Sequence, residues 1–468
     1  MEKRNRIGFL LALLLLTQFS FGQDTLRLSR DGFISIVKEY HPLAFRYRLQ
    51  NNIAEAEVSS ARGNFDPIVS AKDGSKTLDG ANYYKETNVG IDIPTWYGLT
   101  LGGSYNALEG QRLNNNQTKG GLYQFGLTVP LAKGLIFDQR RALLGQAQVA
   151  LRMTAAEQQL LTNELFRDAE NSYWQWVRYY EIYTIQTKAV EINVRRLKMI
   201  KKTYEFGEQA AIDTVEALSQ LKSFELQQQE AYLQFVKATL DLSLFLWKDN
   251  LQPYEITQPI LPEDNLSSSE AYGSYSSMIQ QLYSREINSH LSLIYYQQKG
   301  NFLAIERRLK FQSLLPKLDI TYNFLNKRGY SSNYLPLFQD NYQYGVKLEI
   351  PIFLRQARAN YRMAKLKISQ NQIDASYKRQ ELNAKISSYV NEVENYRMQI
   401  DIANQNINNF QRLLMGEEAK FTNGESSLFL INSRENKLIE AQQKTIDLRL
   451  KFLKSFNELQ CITSSFMK

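Results

Sequence analysis

The sequence has a single cysteine, Cys461, among 468 residues, so no disulfide can form within the chain. Histidine is almost as scarce, with only His41 and His290. The sequence also lacks metal-ligand spacing, a Gly-rich phosphate loop and a nucleophile motif. We therefore predict no catalytic, cofactor-binding or metal-binding residues, no cofactor and no enzymatic activity. A carboxylate-based hydrolase is a remote alternative, because paired acids are common in helix-rich chains.

Long apolar runs are absent after the N-terminus, and no later segment approaches 18 consecutive apolar residues. This pattern predicts no membrane-spanning helix. The start of the chain has three basic residues, an apolar run over residues 7–16 and small residues near 20–22. These features predict a signal peptide over residues 1–22. An exported chain of this kind is either free in an envelope compartment or a β-barrel.

The excess of basic residues is small. Removing residues 1–22 from a chain with 56 basic and 48 acidic residues takes away three of the first and one of the second, which leaves a net charge of +6. The basic residues are spread along the chain and form no patch. We therefore expect no nucleic-acid partner.

Proline is absent between Pro130 and Pro253. Within that interval we predict a helix of roughly 70 residues over 135–206, on the order of 100 Å long at 1.5 Å per residue. Gly207 makes a turn, and a second helix returns over 211–247. Globular helices are seldom this long, because one domain core cannot cover them.

The same pattern occurs twice. Gly207 follows Pro130 by 77 positions, and Gly424 follows Pro351 by 73 positions. The difference of four residues is about one helical turn. We predict two structural repeats, each with a helix, strands, a long helix, a glycine turn and a helix. The first repeat covers residues 23–247 and the second covers residues 269–468, with a linker over 248–268 between them. A helix over 30–62 opens the first repeat.

Strand-like alternation fills residues 65–131 of the first repeat and 316–351 of the second. Val89, Ile91 and Ile93, for example, alternate with Gly90 and Asp92. Four such stretches lie in the first repeat and two in the second. Their length and alternation are typical of transmembrane β-strands. A soluble antiparallel sheet shows the same alternation, so the periodicity leaves both interpretations open.

The second long helix, predicted over 355–422, has apolar residues at alternating spacings of three and four, which is a coiled-coil seam. The seam residues are Ile386, Tyr389, Val393, Tyr396, Ile400, Ala403, Ile407, Phe410 and Leu414. The remaining faces are rich in Asn and Gln. Those amides fit either a solvated outer face or the wall of a water-filled lumen.

Both kinds of element need partners. Helices with narrow seams must be covered along their length, and amphipathic strands in lipid need a closed sheet, because an open edge leaves backbone groups unsatisfied. Two to six strands cannot close a barrel. We therefore predict a homo-oligomer in which the subunits share one β-barrel and one helical tube.

In the order and spacing of its helices, strands and glycine turns, the chain resembles the TolC-like outer membrane efflux proteins, or outer membrane factors. The resemblance covers essentially all of the sequence after residue 22. The matching segments are residues 126–131, 345–353, 204–207 through Asp213 and Ala217, and 421–424 through Ser433. Each is weak alone, but their order and spacing occur twice.

The resemblance implies a fold that is mainly α, with duplicated long helical hairpins forming a periplasmic tunnel and strands shared in one trimeric outer-membrane barrel. It further implies a homotrimer, outer-membrane lipid around the barrel, a periplasmic adaptor protein and an inner-membrane pump. The adaptor contacts are expected at the two turns that form the periplasmic tip, around Tyr204, Gly207, Phe421 and Gly424. A simpler explanation for each glycine is that it caps a helix C-terminus.

The sequence departs from the family at the second turn. Paired acids often present in relatives correspond to Leu430 and Ser433 here. A tyrosine is replaced by Phe421, which lacks the hydroxyl, and an arginine by Ser426.

The first repeat keeps an acid at Asp213 and adds Glu216. We hypothesise that Asp213 and Glu216 supply the negative charge of the tunnel entrance. Two solvated acids on a helix face are an equally good interpretation of the sequence.

The function that these features favour is a passive outer-membrane channel, the exit duct of a tripartite efflux or type I secretion system. The competing interpretation is a periplasmic coiled-coil scaffold or adaptor that never enters the membrane. The sequence does not indicate whether the exported substrate is a drug, a metal or a protein, nor does it identify the pump or the adaptor. The number of barrel strands per subunit and the gating of the tip are also left open.

Overall fold

The computed structural model describes residues 26–114, 117–255, 260–266, 289–327 and 341–463. Two sequence predictions lie outside these ranges: the signal peptide over 1–22 and the start of the second repeat over 269–288. Within the described ranges the chain is mainly helical, with one large sheet.

The helices are listed here in chain order and numbered α1 to α7 as far as the described residues go: Arg30–Tyr40, Pro42–Arg62, Gln139–Glu205, Ala211–Ser243, Leu291–Gln312, Arg355–Thr422 and Leu428–Ile462. The described strands β1 to β10 are Leu26–Leu28, Ile68–Leu78, Ala81–Pro94, Thr100–Glu109, Gly120–Pro130, Trp247–Lys248, Gln252–Pro253, Ile260–Pro262, Lys317–Lys327 and Tyr342–Glu349.

The single helix predicted over 30–62 is wrong, because the chain breaks at His41 into α1 and α2. Pro42 has no backbone N–H, and its ring disfavours a helical conformation at the preceding residue. His41 accordingly has an extended backbone, with φ −68° and ψ 129°. Its ring then caps the new helix, since Nδ1 accepts a hydrogen bond from the Leu43 N–H at 3.2 Å.

The two long helices lie close to their predicted positions. α3 has 67 residues and α6 has 68. Every residue of the predicted seam in α6 is buried or half-buried, with Val393 at 0% exposure. The period of alternating threes and fours therefore identified the packed face of this helix correctly. Most of the neighbouring Asn and Gln side chains are exposed in the single chain.

The large sheet has six strands in the order β10-β9-β5-β4-β3-β2, and every neighbouring pair is antiparallel. Strands from the two repeats meet where β5 pairs with β9. The four strands predicted in the first repeat and the two in the second are confirmed. The β2–β3 turn is made by Asp79 and Gly80, both with positive φ (53° and 75°), as a tight hairpin requires.

The chain forms two compact units. One comprises Met1–Arg46, Thr162–Arg285 and Ala384–Lys468, and the other comprises Tyr47–Leu161 and Glu286–Asn383. The first unit is helical, and its largest buried side chains include Trp176, Tyr173 and Phe33. The second unit contains the six-stranded sheet and a smaller core formed by Val58, Ala61 and Leu144.

The predicted linker over 248–268 is anchored wherever the structure describes it. Strand β8 pairs in parallel with β1 at the start of the chain. The Asp264 carboxylate accepts a hydrogen bond from the Arg30 backbone N–H at 2.7 Å and lies 2.7 Å from the Tyr173 hydroxyl. The Arg30 side chain in turn pairs with Glu170, which is 2% exposed. Burial raises the pKa of Glu170, and the Arg30 charge acts in the opposite direction.

Candidate functional site: the two-faced sheet and the two glycine turns

The six-stranded sheet has one apolar face and one polar face. Every second residue of a strand points to the same face of the sheet. In the registers, residues of one face on neighbouring strands stand directly opposite each other. The apolar face carries Val69, Ala71, Val89, Ile91, Ile93, Leu101, Tyr105, Tyr123, Phe125, Leu127, Val129, Leu318, Ile320, Tyr322, Phe324, Tyr342, Tyr344, Val346 and Leu348. The predicted alternation is thus confirmed, and it is continuous across both repeats.

The apolar face is strongly exposed in the single chain. On β10, the exposed fractions are 68% for Tyr344, 62% for Val346 and 60% for Leu348. The intervening residues Lys347 and Glu349 lie on the polar face and form an ion pair at 2.7 Å. Monomeric soluble proteins rarely expose apolar surfaces of this extent.

The height of the apolar face suits a membrane. On β9 it extends from Leu318 to Phe324, seven positions that span about 20 Å at 3.3 Å per residue. Staggering of the neighbouring strands lengthens the band, and the apolar band of membrane barrels is about 25 Å tall.

The outer half of the β2–β3 hairpin departs from this pattern. Asp73 and Thr87 stand opposite each other in the register at the positions where the apolar face would continue. They are joined by a hydrogen bond of 2.6 Å from Thr87 Oγ1 to the carboxylate. The base of the hairpin therefore belongs to the apolar face, whereas its outer half is polar on both sides.

Aromatic side chains border the sheet where it meets the helices. Trp96 and Tyr97, in the β3–β4 turn, are 55% and 75% exposed. The Trp96 ring packs on Phe65, with 5.4 Å between centroids. Beside this turn, Arg141 Nη2 donates to the carbonyls of Gly134 and Leu135, in the segment between β5 and α3. Gly98, with φ 84°, must be small, because an added Cβ would lie 2.8 Å from the Arg141 guanidinium.

The two glycine turns, which belong to the helical unit, have the same backbone geometry. Gly207 and Gly424 have φ values of 80° and 76°. In the first turn Gly207 N–H donates to Tyr204 O at 2.9 Å and Glu208 N–H to Thr203 O at 3.0 Å. The corresponding bonds in the second turn run from Gly424 to Phe421 O and from Glu425 to Lys420 O.

These paired bonds are the Schellman arrangement that ends a helix at a glycine in the left-handed region. The simpler explanation from the sequence, a C-capping glycine, therefore accounts for both residues. It also places Tyr204 and Phe421 at equivalent positions, each the next-to-last residue of its helix.

The two aromatic residues differ in their surroundings. Phe421 is half-buried against a cluster formed by Ile200, Ala217 and Leu428. Tyr204 is 47% exposed, and Phe206 beside it is 79% exposed. The structure therefore leaves an accessible aromatic pair at the first turn, whereas the second turn uses its aromatic side chain for packing.

Asp213 and Glu216 each have a local partner. The Asp213 carboxylate accepts a hydrogen bond from the Ala210 N–H at 3.2 Å and so caps the first turn of α4. Glu216 accepts from the side chain of Asn432 on α7 at 3.1 Å. Both acids are half-buried rather than fully solvated.

The equivalence of the turns shows how the acids correspond between repeats. Asp213 and Glu216 lie six and nine residues after Gly207, and Leu430 and Ser433 lie six and nine residues after Gly424. The acid pair is therefore present at these positions in one repeat and missing from the other.

Ser426 forms a hydrogen bond with an acidic residue near the end of α6. Its hydroxyl donates to Glu417 at 2.6 Å, and the second oxygen of that carboxylate lies 3.7 Å from Arg434 Nε. An arginine is thus present near the second turn, but it comes from α7.

Sequence reasoning missed a buried charged cluster between the two hairpins of the helical unit. Arg196 Nη1 lies 2.6 Å from Glu435 Oε2, and Glu418 lies 3.6 Å from the same guanidinium. Asn193 donates to Glu435 at 3.2 Å, and Glu435 is only 3% exposed. A signal was present, since Arg196 lies eleven residues before Gly207 and Glu435 eleven residues after Gly424.

Among the described residues, no group of three or more His, Cys, Asp or Glu side chains is placed to hold a metal ion. None of the described helices is both long and apolar enough to cross a membrane. Cys461 is buried, and burial raises the pKa of its thiol to about 12.

Comparison with known proteins places these features in a family context. Residues 306–464 match the outer membrane efflux protein family. No curated protein sequence matches the chain.

Several solved structures are similar over most of their length. The CmeC outer membrane channel of Campylobacter jejuni has a TM-score of 0.63 at 13% identity, covering 93% of this chain and 85% of that one. The open state of the MtrE channel of Neisseria gonorrhoeae has a TM-score of 0.65 at 13% identity, covering 94% of this chain and 89% of that one. The outer membrane protein VceC of Vibrio cholerae has a TM-score of 0.63 at 11% identity, covering 93% of this chain and 96% of that one. Residues 306–464 therefore match the outer membrane efflux protein family, and the chain as a whole has the fold of these outer-membrane channels.

Proposed function

We propose that this protein is the outer-membrane exit duct of an efflux or type I secretion system, a passive conduit between the periplasm and the exterior. The observation that carries the proposal is the continuous, exposed apolar face of the six-stranded sheet, backed by a polar face. Such a sheet can separate lipid from water. A duct performs no chemistry, so its energy would come from an inner-membrane pump.

The proposal includes assembly with further copies of the chain. Strands β2 and β10 are the outer strands of the sheet, and neither has a partner on its outer side among the described residues. Unpaired backbone groups are costly in lipid, so these edges must pair with sister copies. The family resemblance supports three copies.

Helix α4 gives independent support for an oligomer. Leu226, Leu233 and Leu240 recur every seven residues and are 62%, 51% and 60% exposed. A stripe of this spacing is typical of a coiled-coil seam that lacks its partner. In the proposed trimer a helix of a neighbouring copy covers it.

We further propose that the glycine turns contact a periplasmic adaptor protein. Exposed Tyr204 and Phe206 at the first turn, and Phe429 after the second, at 68% exposure, offer apolar contacts of the kind that interfaces use. Gly207 and Gly424 shape the two turns. Asp213 and Glu216 supply the acidic charge near them.

Fractionation followed by conductance measurement tests the proposal. The full-length protein should remain with the outer membrane after a high-salt wash. After purification in detergent it should produce discrete conductance steps in a planar lipid bilayer. Recovery in the soluble periplasmic fraction, without detergent and as a single copy, would instead establish the competing scaffold function.

A further inference from the structure

We propose that the junction between the sheet and the helices contains a binding site for the phosphate headgroup of an anionic phospholipid. The proposal rests on the membrane position of the sheet given above, and extends it by assigning a ligand to two adjoining cavities.

The cavities lie directly beyond the ends of β5 and β10. One has a volume of about 520 Å³ and is bordered by Lys133, Ser313 and residues 351–357 and 360. The other has a volume of about 410 Å³ and is bordered by residues 133–134, 137–139 and 309–317 in part. Lys133 and Ser313 belong to both walls, so the cavities adjoin.

The charge of the walls is predominantly positive. Lys133, Lys310, Lys317 and Arg355 line the two cavities, and Asp138 is the one acidic wall residue among those described. Asp138 is already engaged, because it accepts hydrogen bonds from the backbone N–H and the Nε of Arg141 at 2.9 and 3.1 Å.

Only one of the four basic residues, Lys317, forms an ion pair within 4 Å among the described residues. Lys317 contacts Asp319 at 3.4 Å, and the Arg355 guanidinium stacks over the Phe353 ring at 5.0 Å. Lys133 and Lys310 form no ion pair within 4 Å among the described residues, although the charges of Lys133 and Lys317 both act on the nearby Glu349 carboxylate. A phosphate group would be the natural counter-ion for this cluster.

Apolar residues accompany the basic ones. Ile352 and Phe353, both in the wall of the larger cavity, are 88% and 68% exposed. Ile350, just before them, is 56% exposed and ends the apolar side of β10. A ligand that suits these walls has an anionic head and an apolar tail.

The position of the two cavities along the sheet indicates that this ligand is a lipid. The apolar face ends at Leu131 and Ile350, and the basic cavities begin within two residues of that boundary. In a membrane barrel this boundary is the level of the lipid headgroups. Basic residues close to a membrane surface attract anionic lipids by about 1 kcal/mol each, a factor of about five in affinity.

The test compares two spin-labelled lipids around the full-length protein. The protein is reconstituted in phosphatidylcholine vesicles with a trace of spin-labelled phosphatidylglycerol or, separately, spin-labelled phosphatidylcholine. The immobilised fraction of each probe gives the relative affinity. The wild type should prefer phosphatidylglycerol, and the double variant Lys133→Gln, Arg355→Gln should reduce that preference by about 25-fold.

The matched control removes two charges from the opposite end of the same sheet. Lys76→Gln combined with Lys85→Gln lies on the β2–β3 hairpin, far along the strands from the cavities. This control should keep the preference of the wild type. Equal preferences in the wild type and in the Lys133, Arg355 variant would overturn the proposal.

Further arms separate a lipid from other occupants. Inorganic phosphate should compete no better than sodium chloride of equal ionic strength, and stronger competition would indicate a free-anion site and overturn the lipid assignment. Loss of oligomer in the Lys133, Arg355 variant, in the absence of either probe, would indicate that a second copy covers the cavities. Conductance is measured in parallel, so that a duct without lipid preference is distinguished from a protein that forms no duct.

Discussion

Arg196 and Glu435 form a buried ion pair that joins α3 to α7, with 2.6 Å between Nη1 and Oε2. The pair lies eleven residues from each glycine turn, before Gly207 on one hairpin and after Gly424 on the other. It therefore fixes the register of the two hairpins against each other within the helical unit.

Removing one charge from this pair should be costly. Glu435→Gln leaves the Arg196 guanidinium buried, with Glu418 at 3.6 Å as its remaining acid. We expect a loss of about 3 kcal/mol, at the lower end of the range for breaking a buried pair, because that acid remains. Hydrogen exchange of the α3 and α7 amides around the pair measures the change in opening free energy.

The matched control is Glu440→Gln on the same helix. Glu440 pairs with Lys437 at 2.8 Å, and both side chains are more than half exposed. This change should alter the free energy by no more than about 0.5 kcal/mol. Equal effects of the two substitutions would contradict a structural role for the buried pair.

Alanine at either turn glycine should destabilise its hairpin. An added Cβ meets no atom within 4 Å at Gly207 or at Gly424, so the cost comes from the positive φ alone. We expect about 1 kcal/mol for each substitution. Gly416, inside α6 and equally open around its Cα, is the control, and Gly416→Ala should stabilise the helix by about 0.5–1 kcal/mol. Thermal unfolding followed by circular dichroism compares the three variants.

The two faces of the sheet should respond differently to an added charge. Val346→Lys places a cation on the apolar face, which costs about 2–4 kcal/mol near the bilayer midplane. The fraction of protein that inserts into vesicles should fall accordingly. Gly345→Lys places the same charge on the polar face of the same strand, where an added Cβ meets nothing within 4 Å. Normal insertion of the Val346→Lys variant would show that this face does not contact lipid.

The hypothesis that Asp213 and Glu216 set the charge of the entrance is tested by ion selectivity. Asp213→Asn and Glu216→Gln remove the charges and keep the side-chain shapes, which matters because each acid accepts a hydrogen bond. The reconstituted channel should lose part of its cation preference, measured as a shift in reversal potential under a salt gradient. An unchanged reversal potential in the double variant would refute the hypothesis.

His41 should make the stability of the helical unit depend on pH. Burial lowers the pKa of His41, and its Nδ1 accepts a hydrogen bond in the neutral form. The folded protein therefore binds fewer protons than the unfolded chain, and stability should fall as the pH drops through the unfolded value of about 6.5. Unfolding midpoints measured between pH 7.5 and 5 should show this loss. The variant His41→Asn, which can still cap α2, should show less of it.

The sequence predicted those parts of the fold that depend on local periodicity. The seam from Ile386 to Leu414 and the alternation on β9 and β10 repeat over enough residues to identify the packed faces. The two turn glycines could also be predicted from the sequence, because few residue types other than glycine adopt the positive φ that such a turn requires. The break at His41 could also have been predicted, since Pro42 stands directly after it.

Features that depend on distant partners were not predictable in the same way. Apart from their equal spacing of eleven residues from the turn glycines, the sequence does not indicate that Arg196 will neutralise Glu435, 239 residues away. Nor did the residues around the predicted linker over 248–268 indicate that Ile260–Pro262 pairs with a strand at the start of the first repeat. The hydrogen bond by which Asp213 caps α4 was likewise not predicted, because the sequence offered only an entrance charge or a solvated acid at this position.

The pairing of β1 with β8 has a consequence for how the chain is built. The Arg30 N–H and the Asp264 carboxylate that accepts it are 234 residues apart. The duplicated halves are consequently not self-sufficient modules, because the first remains unfinished until the stretch between them has arrived. Cutting the chain between its halves, before Ile260, would leave the earlier piece without its closing strand.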